Sequence, residues 1–161
     1  HVSDAYRKMR NTIRFMLSNL YDFDPVTDSV NPEDMGELDR WALARFAQLT
    51  RKVAKAYMDY EFHTVYHALQ HFCAITMSSL YLDVIKDRLY VSAPDARERR
   101  AGQTVIHRIL DGLLRLMNPI ISFTTAEAWE HLHGLGADGP IEQSIFFEQF
   151  PLVDDVQADE E

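Results

Sequence analysis

The sequence predicts an all-α fold: an antiparallel bundle of about five helices with a short extended segment at its C-terminal end. Apolar residues recur at three- and four-residue spacing through most of the 161 residues. The six glycines and six prolines are concentrated between these periodic stretches. With 47% apolar and 25% charged residues, the composition is that of an ordinary globular domain, which needs no disulfide or structural metal to fold.

The first two helices are predicted from amphipathic patterns on either side of a turn-rich loop. Ser3 is the predicted N-cap of the first helix, and Asp24-Pro25 ends it. Its apolar stripe comprises Tyr6, Met9, Ile13, Met16, Leu17 and Leu20. The second helix begins after Pro32. Its stripe comprises Leu38, Trp41, Ala42, Leu49, Val53, Ala56, Tyr57 and the aliphatic part of Arg45.

The third and fourth helices follow from the same periodicity. The third begins near Glu61 and carries the chain to Tyr90, with a candidate kink at Ser78-Ser79. Its inward residues are Val65, Leu69, Phe72, Ile75 and Thr76, and an apolar stretch through Leu80, Leu82, Ile85 and Leu89 continues it. Ala93-Pro94 marks the start of the fourth helix and Pro119 its end. Its inward residues are Val105, Ile109, Leu113, Leu116 and Met117.

The last helix and the segment after it complete the prediction. Thr124 and Glu127 form a capping box at the start of the fifth helix, and Gly134 is its C-cap. Its apolar side comprises Ala128, Trp129 and Leu132. Residues 145–150 are expected to lie extended on the bundle. Four residues from different helices are expected to share one core: Trp41, Phe72, Leu113 and Trp129.

Charge is distributed in blocks along this acidic chain. The net charge is −9, and residues 148–161 hold six acids and no base. Residues 6–14 and 40–55 contain basic residues and no acid, whereas every charged residue in the range 21–39 is an acid. Such alternation permits a local positive face on an acidic protein. We predict a bundle over residues 1–150 and an acidic tail over residues 151–161 that links to a missing C-terminal part.

Secretion, membrane insertion and catalysis find no support in the sequence. Cys73 is a single cysteine, no apolar run is long enough for a membrane span, and the N-terminus lacks a signal peptide. These features predict a cytoplasmic protein. There is no glycine-rich phosphate loop, no nucleophile elbow and no cysteine pair for zinc. Because the sequence begins at His1 and ends in a polar string, we interpret it as a fragment of a longer protein.

Two clusters could carry chemistry, and for both a structural role is favoured. The row of His63, His67 and His71 could offer nitrogens to zinc or copper, but no further ligand is evident nearby, so no metal is predicted. Asp83 and Asp87 lie one turn apart. The basic residues beside them favour ordinary ion pairs over an acid/base pair.

Four ordered blocks of the sequence resemble a known family. They are residues 6–15 (YRKMRNTIRF), 38–43 (LDRWAL), 60–66 (YEFHTVY) and 81–90 (YLDVIKDRLY). They look like the anticodon-binding helical domain of isoleucyl-tRNA synthetase, a class I aminoacyl-tRNA ligase. A fifth block, residues 118–132, resembles the last helix of that domain. Met9 and Met77 depart slightly from the family pattern.

The resemblance implies an anticodon-arm binding module of an enzyme that ligates isoleucine to its tRNA with ATP. The H-I-G-H and K-M-S-K-S motifs of class I enzymes do not occur in the sequence, so the chain alone is expected to have no catalytic residue, no metal and no cofactor. ATP with magnesium and a structural zinc are implied for the full-length parent. The implied partners are the anticodon arm of the isoleucine tRNA and the catalytic domain of the same chain.

Basic and amide side chains on the predicted helices are the candidate RNA contacts. The main candidates are Arg7, Lys8, Arg10, Asn11, Arg14, Arg45, Arg51, Lys52 and Lys55. The fourth helix adds Arg97, Arg99 and Arg100. Part of the first helix is also expected to face the catalytic domain. Two alternatives stay open: a related valyl- or leucyl-tRNA synthetase domain, and a helical protein-interaction module without RNA binding.

Overall fold

The computed structural model describes residues 2–136 and 139–151, and all regular secondary structure within these ranges is helical. The α-helices are α1 (Val2–Ser18), α2 (Glu37–Met58), α3 (Phe62–His71), α4 (Leu82–Val84), α5 (Lys86–Val91), α6 (Arg97–Met117) and α7 (Ser122–Leu132). A π-helix, Phe72–Tyr81, joins α3 to α4, and short 3-10 turns occupy Pro32–Asp34, Ile141–Gln143 and Ile145–Phe147. The predicted all-α helical bundle is confirmed. No helix in the described part is long and apolar enough to cross a membrane.

The predicted third helix is a rod made of α3, the π-helix, α4 and α5, with a break at Ile85. The candidate kink at Ser78-Ser79 falls inside the π-helix. One prediction within this segment is wrong, because the side chain of Ile75 is 45% exposed. A π-helix has hydrogen bonds from residue i to i+5, so its wider turns change which residues face the core. The buried residues here are Phe72, Cys73, Met77 and Tyr81.

One contiguous hydrophobic core runs through the bundle. Phe72, Leu113 and Trp129 are buried in it, and Trp41 packs against it half-buried, as predicted. The inward stripe predicted for α6 is fully buried. On α2 the prediction for Arg45 is wrong, since this side chain is exposed. Ala42, Leu49, Val53 and Ala56 are buried as predicted, and the buried side of α2 also includes Leu43, Phe46 and Ala47.

Helix ends depart from the predicted caps in several places. Ser3 lies inside α1, and this helix ends at Ser18, before Asp24-Pro25. The capping box is not formed, because α7 begins at Ser122 and the Thr124 hydroxyl pairs with Tyr6 Oη at 2.8 Å. The fourth helix begins at Arg97, three residues after Pro94.

The predicted C-cap of the last helix is confirmed. Gly134 has φ +65°, and the Leu135 amide donates to the Glu130 carbonyl at 2.8 Å. This is the Schellman arrangement, in which a left-handed residue lets the chain turn back on the last helical carbonyls.

The C-terminal segment lies on the bundle, but it includes 3-10 turns where an extended strand-like piece was predicted. Ile145 is buried, and the Trp129 indole donates to the Gln143 carbonyl at 3.0 Å. Phe150 stacks on Tyr57 with ring centroids 5.1 Å apart. The predicted acidic tail, apart from Pro151, lies outside the described residues.

Gly112 marks the closest helix packing, and we expect its replacement by alanine to destabilise the bundle. An added Cβ would lie 2.7 Å from two ring carbons of Phe46, whose side chain is fully buried. Gly102→Ala on the same helix is the matched control, since its Cβ would meet Ile85 at an ordinary 3.5 Å. Urea denaturation should place Gly112→Ala about 1–3 kcal/mol below Gly102→Ala. Equal stabilities would contradict the packing described.

Candidate nucleic-acid interface

A groove between α1, α2 and the rod of α3 and the π-helix brings predicted candidates from two helices together. Its lining residues are Lys8, Leu49, Lys52, His67, Ala68, Gln70, His71, Phe72, Ala74, Ile75 and Thr76. The groove has a volume of about 600 Å³. We call it the π-helix groove. Its polar lining is cationic, imidazole or neutral, and no carboxylate lines it.

A second cleft continues the π-helix groove along α1. It has a volume of about 510 Å³ and shares Lys8, Ala74 and Ile75 with the first. Its further lining residues are Asn11, Thr12, Phe15, Ser78, Ser79, Leu82 and Lys86. Together the two clefts form a path without carboxylates in the lining, although the protein as a whole is acidic.

The π-helix is anchored to α1 beneath this path. The Thr12 hydroxyl lies 3.0 Å from Ser78 Oγ and 3.4 Å from the Cys73 carbonyl. Ser79 Oγ donates to the Ala74 carbonyl, five residues earlier, at 2.9 Å. Burial raises the pKa of the Cys73 thiol to about 12, so this cysteine stays protonated and is part of the core rather than a nucleophile.

The other predicted residues of α1 lie elsewhere on that helix. Arg10 and Arg14 line a smaller cleft of about 210 Å³ against α7, which also contains Glu127 and His131. Arg7 is exposed and lies 3.8 Å from the Asp4 carboxylate. The first basic block is therefore divided between two flanks of α1, and only Lys8 and Asn11 reach the groove path.

The predicted residues of α2 are exposed along its outer face. The Arg45 guanidinium lies 5.7 Å from the Trp41 ring centroid and donates to Gln48 Oε1 at 2.8 Å. Arg51 is exposed. Lys55 forms an exposed ion pair with Asp59, and the hydrogen bond that its ammonium donates to this carboxylate raises the pKa of the lysine.

The candidates on α6 form ion pairs within the fold, and the burial of Arg99 removes this residue from the surface that RNA can reach. Arg99 is buried and donates to both oxygens of Asp22, at 2.8 and 3.0 Å. Arg100 donates to the Asp22 carbonyl at 2.7 Å, and Arg97 pairs with Asp34. The acidic block before α2 folds onto the start of α6, so opposite charges that are distant in sequence neutralise each other. The hydrogen bonds from Arg99 lower the pKa of Asp22.

Two of the three histidines in the predicted row line the π-helix groove. All three rings are exposed, and His67 and His71 line the π-helix groove while His63 lies 3.3 Å from the Thr64 hydroxyl. Among the described residues, no three His, Cys, Asp or Glu side chains are placed to hold a metal ion. Sequence reasoning missed these two histidines as groove residues. The available sequence signal was the one-turn spacing of the two histidines, which places them on one side of α3; the groove that they share with Lys52 is a tertiary feature.

The predicted ion pairing around residues 83–88 is present, with one different partner. Lys86 pairs with Asp83 at 2.6 Å. Arg88 instead reaches Asp39, which is buried and also accepts a hydrogen bond from Tyr81 Oη at 2.7 Å. This contact fixes the start of α2 against the end of the π-helix.

Comparison with known proteins identifies the family. A family model described as the anticodon-binding domain of tRNA ligase matches residues 39–161. The chain is 56% identical over 160 residues to the isoleucine–tRNA ligase of Desulfotalea psychrophila, covering 99% of the chain and 17% of that protein. It is 49% identical over 148 residues to the enzyme of Symbiobacterium thermophilum, covering 92% and 16% respectively.

A more distant relative matches over the same extent. The isoleucine–tRNA ligase of Persephonella marina is 44% identical over 160 residues, which cover 99% of the chain and 17% of that protein. The chain therefore spans less than a fifth of the length of these relatives. The family resemblance predicted from the five sequence blocks is confirmed: the chain belongs to the anticodon-binding domains of tRNA ligases, with isoleucine–tRNA ligases among its relatives.

Proposed function

We propose that the chain binds the anticodon arm of the isoleucine tRNA and holds it for a parent isoleucine–tRNA ligase. The observation that carries this proposal is the groove path lined by Lys8, Lys52 and Asn11 without a carboxylate, on a protein of net charge −9. Clefts of this kind attract phosphates locally even when the whole molecule is acidic. The parent works in the cytoplasm, and its ATP, magnesium and structural zinc belong to its other domains.

The outer face of α2 extends the positive surface beyond the groove. Arg45 lies seven residues before Lys52, about 10 Å along the helix axis. Its guanidinium is held by Trp41 and Gln48 rather than by a carboxylate. A guanidinium in this state keeps its charge and a planar face for phosphate or base contact.

One end of the bundle is apolar and supports contact with the rest of the parent. Tyr57 Oη donates to the Leu116 carbonyl at 2.8 Å, which joins the ends of α2 and α6, and Tyr6 pairs with Thr124, which joins the starts of α1 and α7. The short connection from Met117 to Ser122 brings these two contacts to the same end of the bundle. The exposed apolar side chains here are Met58, Tyr60, Phe62, Ile120 and Phe123.

We assign this apolar end to the catalytic part of the same ligase chain. Exposed apolar groups gathered in one place are typical of interaction surfaces. The match covers 17% of the Desulfotalea protein, so most of such an enzyme is available to cover the surface. Because the groove path runs along the side of the bundle, the RNA and the catalytic part have separate surfaces.

RNA binding is tested most simply by salt dependence. We expect the log affinity for a labelled anticodon arm of the isoleucine tRNA to fall against log salt with a slope of about −2 to −3. Three or four neutralised phosphates give this slope at roughly 0.7 each. Fluorescence anisotropy measures it, with arms of the valine and leucine tRNAs as comparators. Binding no stronger than that of an unrelated hairpin would favour a protein-interaction module, and preference for a comparator arm would favour a related ligase.

A further inference from the structure

We propose that the π-helix groove holds one unpaired base of the bound RNA, with His67 and His71 as its stacking surfaces. This inference rests on the proposed function and goes further, because it names the ligand group and the side chains that receive it. The groove volume of about 600 Å³ lies within the range of about 300–1,000 Å³ that is usual for clefts that take small organic groups.

The lining of the groove combines planar imidazole rings with a branched aliphatic side chain. His67 and His71 lie one turn apart on α3, and Ile75 follows one further turn along the rod. Ile75 is 45% exposed because the π-helix turns it away from the core. Unpaired bases in RNA complexes stack on imidazole rings and pack against such aliphatic groups.

Two ammonium groups from different helices line the same groove. Lys8 comes from α1 and Lys52 from α2, and each lines the groove with the histidines. The phosphates on either side of a base in this groove therefore lie near these two lysines. No carboxylate lines either cleft to repel the backbone.

The groove is concave, so a base must leave the stack of its neighbouring bases to enter it. In a base-paired stem the bases are held inside the duplex, and their faces are not available. The groove is therefore selective for the loop of the arm, whereas the exposed arginines of α1 and α2 can contact either stem or loop phosphates. Base stacking in the groove and charge attraction outside it can therefore be tested with separate variants.

The test uses anticodon arms that carry 2-aminopurine at successive loop positions, because stacking quenches its fluorescence. For the chain as it stands, we expect one position to respond on binding. The His67→Ala/His71→Ala variant should lose that response and bind the arm about five- to 100-fold more weakly. The His67→Phe/His71→Phe variant keeps planar rings and should retain the response. Both histidines are exposed, so circular dichroism should show unchanged helicity in the double variants. If the helicity falls, the single variants at His67 and His71 are used instead.

Arg10→Ala/Arg14→Ala is the matched control on the opposite flank of α1. We expect it to weaken binding without changing the 2-aminopurine response. An unchanged response in the double alanine variant would overturn the groove assignment while RNA binding itself stands. Equal losses for the alanine and phenylalanine variants would overturn stacking. Absence of any binding by the unaltered chain would instead overturn the proposed function.

Discussion

Replacing Arg99 by alanine is expected to lower the free energy of unfolding by about 3–5 kcal/mol, the usual effect of breaking a buried ion pair. The Arg99 side chain is 5% exposed, donates to both oxygens of Asp22 and reaches the carbonyls of Leu89 and Pro94. Its loss removes the donor to the two carbonyls and to Asp22 Oδ2, while Gln103 still donates to Asp22 Oδ1 at 2.8 Å. Urea denaturation followed by circular dichroism measures the effect.

The control for Arg99 is an exposed pair of the same charges. Lys86→Ala removes the partner of Asp83, and both side chains are more than half exposed, so we expect a loss of stability far smaller than that of Arg99→Ala. The pKa of Asp22 is lowered in the folded state, so its contribution is complete above the ordinary value of 3.8 and is lost as the pH falls through the lowered pKa. Equal effects of the two substitutions would contradict a structural role for Arg99.

Removal of both groove lysines, Lys8→Ala/Lys52→Ala, is expected to weaken binding of the anticodon arm about 25-fold at about 0.1 M salt. Each neutralised phosphate contributes roughly 0.7 to the salt slope, which corresponds to about fivefold in affinity at this salt concentration. The slope itself should become shallower by about 1.4. Fluorescence anisotropy over a range of salt concentrations gives both values.

The matched control removes the same charge from outside the groove. Arg7 and Lys55 each lie beside a carboxylate, Asp4 and Asp59 respectively, and neither lines the groove path. Arg7→Ala/Lys55→Ala should therefore change the affinity less than about threefold. If this variant weakened binding as much as the lysine pair, net charge rather than groove geometry would govern association.

Local patterns predicted those parts of the fold that ordinary helices build. The stripe of α6 is buried as its spacing requires, and Gly134 ends α7 because a left-handed residue is needed there. The π-helix could not be read from spacing, since it depends on contacts such as Thr12 with Ser78, 66 residues apart. Its wider turns change which residues face the core, and Ile75, which was predicted to lie inward, is 45% exposed.

The sequence predicted only some of the residues of the candidate site, because their surroundings depend on tertiary contacts. A basic residue on a helix can face solvent, RNA or a distant carboxylate, and the sequence does not show which. Arg99 finds Asp22 only because residues 21–34 fold back onto α6. Lys52 and Lys8 lie in one groove only because α1 and α2 both pack against the rod. The family resemblance supplied the function, and the tertiary structure selected among the candidate residues.

Photo-crosslinking tests the central claim, that RNA enters along the π-helix groove, most directly. An anticodon arm of the isoleucine tRNA carrying 4-thiouridine in its loop is bound to the chain, irradiated and digested, and the crosslinked peptides are identified by mass spectrometry. The structure predicts crosslinks within residues 67–79, together with residues 8–15 of α1. Crosslinks confined to α6, α7 or the acidic segment at residues 21–34 would contradict it.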